Sequence, residues 1–101
     1  MSSKLETKES LDLNISSVDF NFEEQFMSKL YHNLTKAKIE DSLKIYEEYS
    51  TICGSKDFIQ KVLEPTISRI EADFIEEKIS KASQHVAKNV SIILAKIISK
   101  N

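Results

Sequence analysis

Few side chains in this 101-residue chain are equipped for chemistry, and they are scattered. His85 has Asn89 four residues on, one helical turn away on the same face. Such a pairing can orient an imidazole, and an imidazole nitrogen is a common metal ligand. His32 stands between Tyr31 and Asn33 with no partner identifiable by spacing and reads as exposed. Cys53 is the only cysteine, which leaves no intramolecular disulfide and no zinc constellation. Its expected place at a helix C-terminus is the wrong end of the dipole for stabilising a thiolate. The pairs Glu23-Glu24, Glu47-Glu48 and Glu76-Glu77 bring carboxylates together in sequence. Adjacent residues point about 100° apart on a helix, and no Glu-x-x-His motif of a bundle metal site accompanies them. They read as solvated faces, and the chain is not expected to be an enzyme.

The elements that position these residues follow from composition. Glycine and proline each occur once, against averages of roughly 7% and 5%. So little turn chemistry argues against a multi-stranded sheet and predicts an all-α protein. A net charge of −2 with interspersed signs offers no electrostatic footprint for nucleic acid and no polybasic cluster for acidic lipid. No apolar run approaches the roughly 18 residues of a membrane span, and no signal-peptide core opens the chain. A soluble, cytoplasmic protein is the expectation.

Residues 1–20 are expected to form a flexible N-terminal tail, and 21–101 a helical bundle domain. Met1 to Ser10 is polar and poor in the apolar residues that ordering requires. Leu11, Leu13 and Ile15 then alternate with Asp12 and Asn14, a short period-2 pattern without a second strand to pair with. Val18, Phe20 or Phe22 can dock this tail on the bundle, and an arm exchanged within a dimer is the other reading. The first helix is predicted over Phe22–Ala37, with Asn21 as N-cap and Glu24 completing a capping box. Phe22, Phe26, Leu30 and Leu34 form its stripe, widened by Met27 and Tyr31. The second is predicted over Ile39–Cys53, with Ile39, Leu43, Tyr46, Tyr49 and Ile52 or Cys53 inward. Gly54 suits a left-handed residue after the helix, and Ser55 suits an N-cap for the next.

Pro65 interrupts the third helix, yet Ile59, Leu63, Ile67, Ile70 and Phe74 keep helical phase across it. A new helix after a loop would not normally preserve that phase, so a helix kinked at Pro65, or two abutting pieces, is expected. A connection over Ile75–Ile79 leads to Ser80 as N-cap and a last helix over Lys81–Ser99. Nine of the thirteen residues from Val86 to Ile98 are apolar, more than the roughly 100° stripe of a surface helix. Either this helix is central or something covers its outer side. The predicted architecture is a four-helix bundle.

The run Leu63-Glu64-Pro65, Ile67, Ile70, Phe74, Ile79-Ser80 and Gln84-His85-Val86-Ala87-Lys88-Asn89 resembles part of a known domain. That domain is the helical cap preceding the corrinoid-binding domain in cobalamin-dependent methyltransferases, corrinoid carrier proteins and cobalamin photoreceptor regulators. In that family a Leu-x-Pro helix leads to a Trp, and a Glu-His pair opens the last helix. Phe74 stands at the Trp position, and Gln84-His85 at the Glu-His position. The resemblance spans about residues 22–98 and implies that Phe74, Gln84, His85 and Asn89 cover the upper face of a corrinoid. His85 is then the residue to approach the cobalt. Two family glycines are replaced by Glu71 and Glu77, and Gln84 brings no negative charge. The Asp-x-His-x-x-Gly motif that binds cobalt from below has no counterpart here.

Two functional readings follow. One is a non-enzymatic interaction or regulatory module that forms a homodimer or binds a helical partner through Ile92, Ile93, Leu94, Ile97 and Ile98 on the last helix. It needs no cofactor. The other is a corrinoid-capping module that covers a cobalamin held by a separate corrinoid-domain protein. The two lost glycines and the lack of a cobalt-binding motif favour the first.

Overall fold

A computed structural model describes residues 22–100. The expected tail over 1–20, its alternating Leu11, Leu13 and Ile15, and the Asn21 cap lie outside the described residues. Those residues form an all-α bundle: α1 over 22–35, α2 Ile39–Cys53, α3 Ser55–Phe58, a π-helical segment Ile59–Leu63, α4 Glu64–Ile75 and α5 Lys81–Lys100. Segment α3, the π turn and α4 follow one another without a break. Cross-helix pairs fix the directions. Glu23 meets Lys61, Glu24 meets Arg69 and Tyr31 meets Asp73, so α1 and α4 run the same way. Gln84 meets Glu71, and α5 returns antiparallel along α4.

The core is made by one stripe from each helix. Met27, Leu30 and Leu34 come from α1, and Ile45, Tyr46 and Tyr49 from α2. The third helical run adds Phe58, Val62, Leu63 and Ile70, and α5 adds Ala87, Val90, Leu94 and Ile98. Phe22, Phe26, Tyr46, Tyr49 and Phe58 form a contiguous aromatic cluster with neighbouring centroids 5.0–5.8 Å apart, mostly edge-to-face as ring quadrupoles prefer. Three buried hydroxyls sit among these stripes. Ser42, Thr66 and Ser91 each donate to the carbonyl four residues back, at 2.6–2.8 Å. Helix-internal bonding of this kind lets a small polar residue sit in a core without an orphaned donor.

The inward face of α2 differs from the expected one. Ser42, Ile45, Tyr46 and Tyr49 are buried. Ile52, at 69% exposure, and Cys53 face solvent. The stripe i, i+3, i+4, i+7 starting at Ser42 points in, and a serine does not announce itself as core. In the third helical run, Phe58, Val62 and Thr66 join Leu63 and Ile70 inside, while Ile59 and Ile67 are half-buried. The π turn accounts for the added phase: Glu64 N–H bonds Ile59 C=O, five residues back, immediately before Pro65. Proline has no N–H and cannot take the α-helical carbonyl four residues back. The wider turn before it is how the chain stays helical through the ring.

The helix ends are informative. After α1, Ala37 N–H bonds Leu34 C=O and Lys38 N–H bonds Asn33 C=O, with Ala37 at φ 60°. After α4, Glu77 N–H bonds Phe74 C=O and Lys78 N–H bonds Asp73 C=O, with Glu77 at φ 62°. Both are Schellman endings, and both place a residue other than glycine in the left-handed position. Gly54, by contrast, has φ 93° and ψ 160°, outside the left-handed helical region and open essentially to glycine alone. It turns α2 into α3 with no intervening loop. Ser55 begins α3 and does not cap it; its hydroxyl shares a 2.7 Å hydrogen bond with Tyr46 Oη. Ser80 does cap α5, accepting from Ser83 N–H at 3.0 Å.

Candidate functional site

An apolar concavity lies between α4 and α5. Its α4 wall is Leu63, Ile67, Ile70 and Glu71; its α5 wall is Gln84, Ala87, Lys88, Ser91, Ile92 and Ala95. The cause is local: Ala87, Ser91 and Ala95 recur every four residues and lay a strip of small side chains along α5. Their lack of bulk leaves about 310 Å³ between the helices, the small end of the range for ligand sites. Ile92 is 45% exposed at the edge, and Ile93 beside it 40%. One end is closed by Gln84 Nε2 donating to Glu71 Oε1 at 2.9 Å. Lys88 supplies the positive charge on the wall.

Of the residues singled out by sequence, Gln84 lines this groove. Phe74 is half-buried near the end of α4, and His85 and Asn89 are exposed; none of the three lines it. His85 and Asn89 share a face of α5, one residue out of step with Gln84 and Lys88. The four positions therefore do not converge on the groove. Leu94 and Ile98, grouped by sequence with the partner surface, are core residues at 0% and 4% exposure. The burial stripe Ala87, Val90, Ser91, Leu94, Ile98 carries them inward. Ile92 and Ile93 are left open, and Ile97 is half-buried. Of the groove residues, sequence reasoning assigned only Gln84 and Ile92 to a site, and Leu63, Ile67, Ile70, Glu71, Ala87, Lys88, Ser91 and Ala95 were not assigned. The signal available was the small-residue repeat at 87, 91 and 95.

The other polar clusters tie helices together. Tyr49 Oη donates to Asp57 Oδ2 at 2.6 Å. That bond, ahead of the neighbouring Lys61 ammonium, holds the Asp57 carboxyl below its ordinary range. Lys61 lies 3.4 Å from Asp57 and 4.0 Å from Glu23, linking α1 to the π segment. Tyr31 Oη donates to Asp73 at 2.6 Å. Burial first, and this bond second, push the Tyr31 phenol up to about 12. His32 is exposed in a shallow depression with Lys29, Asn33 and Asp41. Among the described residues no group of His, Cys, Asp and Glu side chains is arranged to hold a metal. No helix among them is long and apolar enough to cross a membrane.

No family model matches the chain, and no curated protein or solved structure matches it.

Proposed function

We propose that this protein is a helical interaction module that seats an acidic, apolar segment of another protein in the α4–α5 groove. The observation that carries the reading is the groove with its small-residue floor and its exposed edge at Ile92. Helix α5 supplies the charge argument. It carries Lys81, Lys88, Lys96 and Lys100 and no acidic residue. A symmetric contact of α5 with the α5 of a second copy would set lysines against lysines, whereas an acidic partner would meet complementary charge. Laying an apolar face into a groove of this kind is a recurrent mode of peptide recognition.

The test uses two amphipathic peptides about 16 residues long, enough for marginal helicity. One is built of leucine, alanine and glutamate, and the other has every glutamate replaced by lysine. Fluorescence anisotropy should show saturable binding of the acidic peptide alone, lost in Ile92→Asp. Equal binding of both peptides, or of neither, would sink the reading.

The corrinoid-capping reading has one observation in its favour, Gln84 on the groove wall. Against it, Phe74 and His85 lie off the groove, and the Glu71 carboxylate stands at its mouth. An absorbance titration with methylcobalamin, on the wild type and His85→Ala, decides it. A saturable spectral change that the substitution removes would restore the capping role; a flat titration in both proteins would end it.

A further inference from the structure

We propose that the α4–α5 groove takes a small uncharged amphiphile, with a medium-length alkyl tail and a hydroxyl head. The inference does not rest on a protein partner; it names a second class of ligand for the same groove. Polarity along the walls is one-sided. Glu71, Gln84 and Lys88 stand at one end, and Leu63, Ile67, Ile92 and Ala95 line the rest. Ser91 offers no free donor between them, because its hydroxyl bonds Ala87 C=O at 2.7 Å. A ligand matched to these walls is apolar along most of its length and polar at one tip.

The charges select the head. Lys88 follows Gln84 by one helical turn, and Gln84 holds Glu71, so one acid and one base serve the same end. A molecule confined to the groove meets these two and not Lys81, Lys96 or Lys100 elsewhere on α5. A carboxylate head would gain Lys88 and face Glu71, and an ammonium head the reverse. For either, attraction and repulsion offset, and the cost of drying a charge remains. A hydroxyl escapes both conflicts. It can donate to Glu71 Oε2, the oxygen that Gln84 does not take. It can also accept from the Lys88 ammonium, which is in no ion pair among the described residues. Length sets the tail. From Lys88 to Ala95 the wall runs about 10 Å along α5. An extended chain advances about 1.2 Å per bond, so a tail of about eight carbons matches that wall.

The experiment titrates the full chain with 1-octanol, octanoate and octylamine, which share one tail, and follows the methyl signals of Ile67 and Ile92. 1-Octanol should bind saturably, one molecule per chain, and more tightly than either charged homologue. 1-Hexanol, two methylenes shorter, should bind about fifteenfold more weakly than 1-octanol. Glu71→Gln should raise the affinity for octanoate by about fivefold, and Lys88→Gln that for octylamine, since each removes a like charge. Ala95→Leu fills the apolar end and should remove binding; Ala95 is exposed, and urea unfolding should show the fold retained. Methyl shifts that do not saturate overturn the proposal. So does octanoate or octylamine binding the wild type as tightly as 1-octanol, or undiminished binding in Ala95→Leu. If 1-octanol binds and the leucine–alanine–glutamate peptide does not, this inference stands and the peptide reading falls. The reverse pattern overturns this inference alone.

Discussion

Glu71 and Gln84 pair with each other across the α4–α5 interface, the Gln84 amide donating to the Glu71 carboxylate at 2.9 Å. A glutamate at 84 would face the Glu71 carboxylate and repel it; the neutral amide offers a donor instead. The amide and the carboxylate therefore complement one another. A double-mutant cycle of Glu71→Ala and Gln84→Ala, followed by urea unfolding, should give a favourable coupling of about 0.5 kcal/mol, the usual scale for an exposed pair. A coupling of zero would mean that the two substitutions are independent.

The two tyrosine–carboxylate bonds predict the alkaline limit of the fold. Burial, then the bond to Asp73, raises Tyr31 to about 12. Burial, then the bond to Asp57, raises Tyr49 as well. A folded value above the unfolded one of about 10 means stability that is complete below pH about 10. It is lost as pH rises from there through the folded values. Absorbance at the tyrosinate band should therefore rise together with loss of helical circular dichroism above pH 10. In Tyr31→Phe the loss of stability between pH 10 and 12 should be shallower. Tyrosinate appearing well before any helix is lost would contradict the assignment.

The helix ends predict stabilising substitutions. Ala37 and Glu77 hold φ near +60°, a region that costs a side-chain-bearing residue roughly 1–2 kcal/mol. Part of that cost is offset by the greater freedom glycine has when unfolded. Ala37→Gly and Glu77→Gly should each stabilise the protein by about 0.5–1 kcal/mol in chemical denaturation. Gly54→Ala should destabilise by about 1–3 kcal/mol. A Cβ at Gly54 would meet nothing within 4 Å, so this loss reports the backbone conformation alone. Neutrality at Gly54 would show that the sharp α2–α3 junction relaxes freely.

The helical identity of the chain was legible because glycine and proline are nearly absent and the apolar stripes of α1 and α5 keep their period. The bounds of α2 follow from Gly54, and Ser80 gives the start of α5. What was not legible was phase. Ser42 and Thr66 are core residues only because each bonds its own helix, a solution that composition does not reveal. The π turn before Pro65 shifts Phe58 and Val62 inward, and nothing in the spacing of Ile59, Leu63 and Ile67 distinguishes a π turn from an α turn. The groove was hidden for a related reason: it is defined by the smallness of Ala87, Ser91 and Ala95 opposite Ile67, and pairing of α5 with α4 had to be seen first. His85 attracted notice by residue type, whereas exposure and direction decide what it faces.

Leu94 and Ile92 stand two residues apart on α5 and should respond oppositely to substitution. Leu94 is fully buried against the core and Ile92 is 45% exposed beside the groove. Leu94→Ala removes core volume and should cost about 2–5 kcal/mol of unfolding free energy. Ile92→Asp places a charge at the surface and should change stability by less than about 1 kcal/mol, while removing binding of the acidic peptide by like-charge repulsion and lost apolar contact. Urea denaturation and anisotropy on the same two variants separate the roles. A large stability loss in Ile92→Asp would mean that Ile92 is held in the core, and the groove would then lose the residue on which its docking role depends.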